Sequence, residues 1–497
     1  MIRKAIWIVA AGCVAASMVL SACVKERFDQ SPEASIRFEL DTLRFDTVFT
    51  SIGSATRLVK VYNPNELPVI VDRIELEAGL ASRFRFNIDG YHGPVVERLE
   101  IGGEDSTYLF VEVTVDPDQP LSVSPFVLEE RMRFSVNGNT EWLHLEAWGQ
   151  NANYIPSRFG KNGVALLSCD FGEIEWSDPR PYVIYGILVV EACNLVWPAG
   201  TRVYVHGGIA RSTDVDGNRI FYNDGLIFVA PTGRLLSEGT AAAPVRVSGD
   251  RLEPVFADIP GQWQGIRFDK GSRGNVLQHT RIENGSYGLF VDSTAQVRLE
   301  ACEIRNTSGE GLLAFHGEIE ADNCLFADNG TQSFGALLGG KYRYRHCTFA
   351  NFGNDQPAVA MNGFYCYDQP NCNVVAEKRI DAEFVNCVIT GSNRDEFWVT
   401  PSEQVGMTLR IDHGIVRVDE LLEPNVLPDF LENYTVAVFN RQRTDSLFAD
   451  LQMGDYRPDT LSVLEGRGRA LPEVPLDLSG NERDMSMPDL GCYEYLY

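Results

Sequence analysis

Cys366 and Cys372 stand close together in the stretch Phe364-Tyr-Cys-Tyr-Asp-Gln-Pro-Asn-Cys-Asn373. Two thiols this near in a turn-rich loop can close a disulfide in an oxidising compartment. The rings of Tyr365 and Tyr367, with Phe364 beside them, can stack on sugar faces, and Asp368, Asn371 and Asn373 can bond hydroxyls. Tyr365, Tyr367 and Asp368 are therefore candidate ligand-binding residues, and Cys366 with Cys372 a candidate disulfide. The competing reading is that the rings pack the loop onto its own domain. Other chemistry is sparse. Asp214-Val-Asp-Gly-Asn-Arg219 offers oxygens to Ca²⁺ but lacks the full loop spacing and the distal bidentate Glu, so it reads as a turn. No cofactor is implied, and Ca²⁺ stays unsupported. His279, His316 and His346 share no spacing with a carboxylate partner, so no base with its orienting acid is visible. Arg281, Glu283, Glu303 and Arg305, with Asp269, Lys270 and Arg273 nearby, alternate in sign and read as a solvated face.

A further reactive position is Cys23. Arg3 and Lys4 precede an apolar run from Ala5 to Leu20, which ends Leu20-Ser-Ala-Cys23. Residues 1–22 read as a signal peptide, and the ending resembles the bacterial lipobox, in which the Cys becomes the lipidated first residue. The expectation is a protein anchored to a membrane, the outer membrane of an envelope, through Cys23. No other uninterrupted apolar run is long enough to span a bilayer.

The elements that must position these residues repeat. Thr280, Cys302, Cys324, Cys347 and Cys387 head one pattern, at steps of 22, 22, 23 and 40 residues. Two residues on stand Ile282, Ile304, Phe326, Phe349 and Ile389; three residues back stand Leu277, Leu299, Ala321, Tyr344 and Phe384. Positions 0 and +2 share a strand face, and position −3 has the wrong parity, so each unit turns a corner between −3 and 0. A second apolar run follows Gly288, Gly311 and Gly335, read as Leu289-Phe-Val291, Leu312 to Phe315 and Ala336-Leu-Leu338. Asn284, Asn306 and Asn351 recur at +4, where Asn tolerates left-handed backbone at a corner. Such a period means stacked units that cannot bury their apolar faces alone, here coils of a parallel β-helix. Cys302, Cys324, Cys347 and Cys387 fall in one inward column, as small apolar residues rather than disulfides or metal ligands. Cys169, Cys193 and Cys492 are left unassigned. The 40-residue step places an insertion of about 18 residues, 362–379, around the Cys366 loop, and insertions of this kind map to one face of a solenoid.

These columns resemble the right-handed parallel β-helix superfamily that includes pectate lyases. Pro260-Gly-Gln-Trp-Gln-Gly-Ile-Arg-Phe268 and Pro488-Asp-Leu-Gly-Cys-Tyr-Glu494 resemble β-helix repeat lipoproteins of Gram-negative envelopes, over roughly residues 155–497. The resemblance implies an all-β solenoid. For activity it offers only analogy, because lyases and hydrolases on this fold use a Ca²⁺ cluster of carboxylates, or an adjacent Asp-Asp with a Gly-His-Gly. This chain contains neither Asp-Asp nor Gly-His-Gly.

Upstream, residues 36–150 alternate apolar and polar in about seven short runs, from Ile36-Arg-Phe-Glu-Leu40 to Trp142-Leu-His-Leu-Glu-Ala147. They read as an immunoglobulin-like sandwich without the Cys–Cys pin. The expected order is signal peptide 1–22, tether 23–35, sandwich 36–150, β-helix 151–400, and final strands with a C-terminal cap 401–497. The net charge of −26 speaks against nucleic acid and anionic membrane surfaces as partners. The functional expectation is binding or scaffolding of glycans or envelope proteins, with a polysaccharide lyase or glycoside hydrolase in the β-helix groove as the alternative. Three or more carboxylates and a basic residue converging in one groove would favour the enzyme.

Overall fold

The structure is a computed structural model, which describes residues 27–49, 56–114, 126–150, 152–155, 164–213, 219–252, 256, 258–368, 370–442 and 446–496. The signal peptide, Cys23 and most of the Asp214 turn lie outside the described residues. The chain divides into two compact units, 1–151 and 152–497.

The first unit is an antiparallel-rich sandwich of two five-stranded sheets. Alternation builds it: every second side chain is buried in Phe84–Ile88, and in Val69–Leu76 the same alternation resumes after a bulge between Val71 and Arg73, giving a shared core that includes Val59, Ile74, Phe86, Val111 and Phe134. Long strands Phe126–Val136 and Asn139–Gln150 form a hairpin across Asn137-Gly138, both at positive φ. The strand Thr42–Phe49 runs parallel to Asn139–Gln150, the one parallel pairing in that sheet.

The second unit is a right-handed parallel β-helix of three strands per coil. Nine strands, from Val164–Leu167 to Phe397–Thr400, stack into a first sheet. The other two strands of each coil form a second and a third sheet, joined across a sharp corner into one 18-stranded ladder. The corner lies at position −1 of the repeat, where His279, Ala301, Asn323, His346 and Asn386 all have positive φ. That turn is what brings position −3 inward beside position 0. Leu277, Leu299, Ala321, Tyr344 and Phe384 stack in register, as do Ile282, Ile304, Phe326, Phe349 and Ile389, all buried. Phe326 stacks on Phe349 at 4.9 Å between centroids, about one strand spacing. Cys302, Cys324, Cys347 and Cys387 are buried free thiols in the intervening column. A second left-handed corner holds Asn284, Asn306 and Asp328, and the Asn306 amide donates to the Asn284 oxygen at 2.7 Å.

One expectation needs correction. The second apolar run of the third repeat is Phe334–Ala336, not residues 336–338, because Leu312 pairs with Phe334 and puts that ring in the core. Gly335 therefore faces outward instead of opening the run. The region expected to hold final strands and a C-terminal cap, 401–497, takes several forms in the structure. The solenoid continues beyond 400 through Met407–Val416 and Thr435–Asn440. Residues between them close the end of its core: Leu421 and Phe430 are fully buried, and Phe430 packs on Phe397 at 5.4 Å. Residues 446–496 lie along the outside of the third sheet. Its outward residues Leu325, Ala327, Ala350, Val388 and Ile415 are apolar and are buried under Leu447, Phe448, Leu464, Leu478, Leu490 and Cys492. Polar corners hold this segment down: Asn323 donates to Leu476 O at 2.7 Å, and Asn386 exchanges bonds with the Arg469 backbone at 2.7 and 2.8 Å.

Candidate functional site

Each of the three outer faces of the β-helix has its own chemistry. On the second sheet, outward residues alternate in charge from strand to strand: Arg298, Glu320, Arg343, Glu383 and Arg410 are register neighbours. Flanking pairs bond directly, with Arg345 to Asp322 at 2.5 Å and Arg343 to Asp381 at 3.0 Å. Such a ladder satisfies itself and stays in water. The third face is covered by residues 446–496 over its C-terminal half.

The first sheet differs. Its outward column begins Leu166, Val189 and Phe228, continues Arg267, Phe290 and Leu313, and ends Gly335, Ala360 and Trp398, all in register. Most of this stripe is apolar and partly exposed. Its one charge, Arg267, is held over the Phe290 ring at 4.7 Å and bonded to Asp292 at 2.5 Å. Inserted hairpins border the sheet: Ile209–Thr213 with Arg219–Asn223 just before one strand, and Phe364–Cys366 with Val375–Glu377 just after another.

The second hairpin is the insertion singled out from the sequence. Cys366 and Cys372 are joined, with Cα atoms 5.1 Å apart, and Cys169 pairs with Cys193 at 5.0 Å. Tyr365 sits edge-on to Phe315 at 5.0 Å and to Tyr367 at 5.1 Å, so it docks the hairpin on the coil. Tyr367 stays 55 % exposed. Asp368 is taken up by its own turn. Its carboxylate accepts from Val374 N at 2.8 Å, and from Asn373 N and Nδ2 at 3.1 Å each. Those bonds, the Val374 amide first, hold its pKa below the usual carboxylate range. Of the three candidates, Tyr367 is the exposed one, while the Tyr365 ring and the Asp368 carboxylate make contacts that hold the loop.

At the far end of the stripe the structure opens a cleft of about 580 Å³ that includes Ala360, Asn362, Trp398, Gln332, Gln356 and Asn393. Trp398 supplies a flat ring beside the small Ala360. Carboxamides surround it. Gln332 donates to Gln356 at 3.1 Å and Gln356 to Asp355 at 3.2 Å, while the Asn362 amide has no protein partner among the described residues. Three carboxylates and an arginine do meet here, Asp355, Asp395, Glu420 and Arg394. Two of the acids are already committed. Asp395 accepts from the backbone N–H groups of Asp419, Glu420 and Leu421, and Glu420 pairs with Arg394 at 2.6 Å. Asp355 is the carboxylate left for a ligand, whereas the usual glycosidic hydrolysis uses two. Beneath the cleft wall, Glu396 is fully buried and accepts from Ala358 N at 2.9 Å and Asn393 N at 2.6 Å. Burial raises its pKa to about 7. It ties together the two loops that carry Gln356 and Asn393.

Trp398 escaped sequence reasoning because it lies past the recognisable repeats, and its amides because they hold no column of the repeat. The available signal was the middle residue of each second apolar run, which must point outward and yet is Phe290 and Leu313. Among the described residues no group of three or more His, Cys, Asp or Glu is placed to hold a metal ion, and no described helix is long and apolar enough to cross a membrane.

A family model described as right handed beta helix region matches residues 160–352. The chain carries that repeat architecture. No curated protein matches it in sequence. Among solved structures, the catalytic unit of a thermostable GH87 alpha-1,3-glucanase from Streptomyces thermodiastaticus aligns over 72 % of this chain and 79 % of its own, at 9 % identity and a TM-score of 0.23. A family 123 glycoside hydrolase from Clostridium perfringens aligns over 39 % of this chain and 44 % of its own, at 9 % identity and 0.18. The ASH / PapD-like domain of human CEP192 aligns over 27 % of this chain and 96 % of its own, at 10 % identity and 0.18. At these scores the three likenesses carry no functional argument.

Proposed function

We propose that this protein is a lipid-anchored envelope protein that binds a neutral glycan along the first sheet of its β-helix, with Trp398 as the principal contact. The supporting observation is the outward register of that sheet. One face of the solenoid is neutralised by alternating charge and another is overlaid over its C-terminal half by the C-terminal segment, while the first is an aromatic and aliphatic stripe ending in an amide-lined cleft. An apolar ring for the pyranose face and carboxamides for its hydroxyls are the two parts of a sugar site. The overall charge of −26, and the pairing of Arg394, the cation among the cleft's described residues, with Glu420, favour a neutral chain over an acidic one there. Anchoring rests on Leu20-Ser-Ala-Cys23. The test is a glycan array on the full-length chain, followed by titration of the best neutral ligand. Trp398→Ala should weaken binding about tenfold or more, the loss typical of a central aromatic contact. Equal affinity in the folded variant would move the site off this face.

A further inference from the structure

The first unit carries a cavity of about 690 Å³ on the outward face of one of its sheets, and Arg85, Asn87, His92, Phe110 and Glu112 are in its wall. Arg85 stands directly opposite Glu112 on that face, and in the next row Leu58, Phe110, Asn87 and His92 are register neighbours. Phe110 is 42 % exposed and Leu58 47 %. Among the described residues of this unit, arginine faces glutamate across paired strands at three further places, and each of those pairs is closed. Arg44 bonds Glu146 at 3.4 Å, Arg73 bonds Glu97 at 2.7 Å, and Arg133 bonds Glu75. Arg85 and Glu112 are the exception. Arg85 donates through Nη1 to the carbonyls of Ser82 at 2.8 Å and Phe84 at 2.9 Å, both uncharged acceptors, and its Nε and Nη2 have no acceptor among the described residues. Glu112 is exposed and has no hydrogen-bond or ion-pair partner among them. Two opposite charges therefore stand open side by side in the wall of a cavity that also presents a ring.

A ligand with one charge would engage one of these groups and leave the other open, and a neutral ligand would engage neither. A ligand that carries both charges engages both, and its own net charge of zero is not opposed by the chain's −26. Side chains that face each other across a sheet have Cβ atoms about 5 Å apart. Consecutive Cα atoms of a peptide are about 3.8 Å apart, which sets the terminal ammonium and carboxylate of an extended dipeptide about 5 to 6 Å apart. An ammonium on Glu112 and a carboxylate on the open edge of Arg85 then make two charge-assisted bonds at once. The Phe110 ring, with Leu58 beside it, is placed to take an apolar side chain of the same ligand.

We propose that Arg85, Glu112 and Phe110 form a binding site for a short zwitterionic peptide with an apolar side chain. The site belongs to the sandwich unit and does not depend on the Trp398 cleft. The two charges fix the direction of the peptide, and the ring selects for its side chain.

The probe is the dipeptide Leu-Phe, titrated by calorimetry against the full-length chain beside its N-acetyl and C-terminal amide forms. The free dipeptide should bind, and each blocked form should bind about tenfold more weakly, having lost one charged contact. Glu112→Gln should weaken the free dipeptide about tenfold and leave the N-acetyl form unchanged, because that form has no ammonium to lose. Arg85→Gln should do the same for the free dipeptide and the amide form. This crossed pattern requires direct contact with the ligand, since a structural role would affect all three probes alike. Trp398→Ala should leave every titration unchanged, which keeps the outcome independent of the first-sheet reading. No binding of Leu-Phe at millimolar concentration, equal affinity for the free and blocked forms, or equal affinity in Glu112→Gln would overturn the proposal. Arg85 and Glu112 are exposed, so matching thermal unfolding curves are expected for their variants, and the blocked probes test the site on the unaltered chain.

Discussion

Cys324 is fully buried between Cys302 and Cys347 in the inward column, and the site asks only for a small apolar group. Cys324→Asp should cost several kcal/mol, because a carboxyl would lie in the core without a partner. Cys324→Ala should cost about 1 kcal/mol, the scale of a small cavity. Thermal unfolding of the two variants distinguishes them, and equal tolerance would mean that the column faces water. Glu396 gives a pH test. Its pKa is raised from 4.5 to about 7 in the fold, so the folded state keeps a proton that the unfolded chain releases. The stability it contributes is present at low pH and is lost as pH rises from about 4.5 through about 7, with a slope of at most about 1.4 kcal/mol per pH unit. Glu396→Gln should flatten the unfolding midpoint over that window. An unchanged slope would show that Glu396 stays ionised.

At the scale of elements, the C-terminal segment is an integral layer of the β-helix. Deleting residues 446–496 should uncover Leu325, Ala350, Val388 and Ile415, a patch of apolar side chains spread over consecutive strands. The truncated chain should bind a hydrophobic dye and elute as larger species than the full-length chain in size-exclusion chromatography. A monomeric truncation with unaltered dye binding would mean that the third face does not need the cover. In the hairpin around Cys366, Tyr365 is engaged with Phe315 and Asp368 with its own turn.

For the whole molecule, the anchoring proposal predicts where the chain resides. Native protein should partition with membranes and Cys23→Ala should not, as read by cell fractionation and immunoblotting. Retention of the variant with membranes would end the lipobox reading.

The repeat alone determined the solenoid. Positions −3, 0 and +2 must all be buried, and only a corner between them permits it; His279, Asn323 and His346 make that corner in left-handed backbone. The buried thiol column was legible for the same reason. The sandwich was legible in its alternation of apolar and polar residues. Tertiary structure decided the rest, because contacts across many coils leave no local spacing. The pairing of Cys169 with Cys193, the bond from His206 to Asp250, and the lateral path of residues 446–496 each join positions that no motif connects. Which face is open also depends on which strands lie side by side. Arg85 and Glu112 face each other only when their strands pair, and Trp398 becomes the end of an apolar stripe only in register with Ala360.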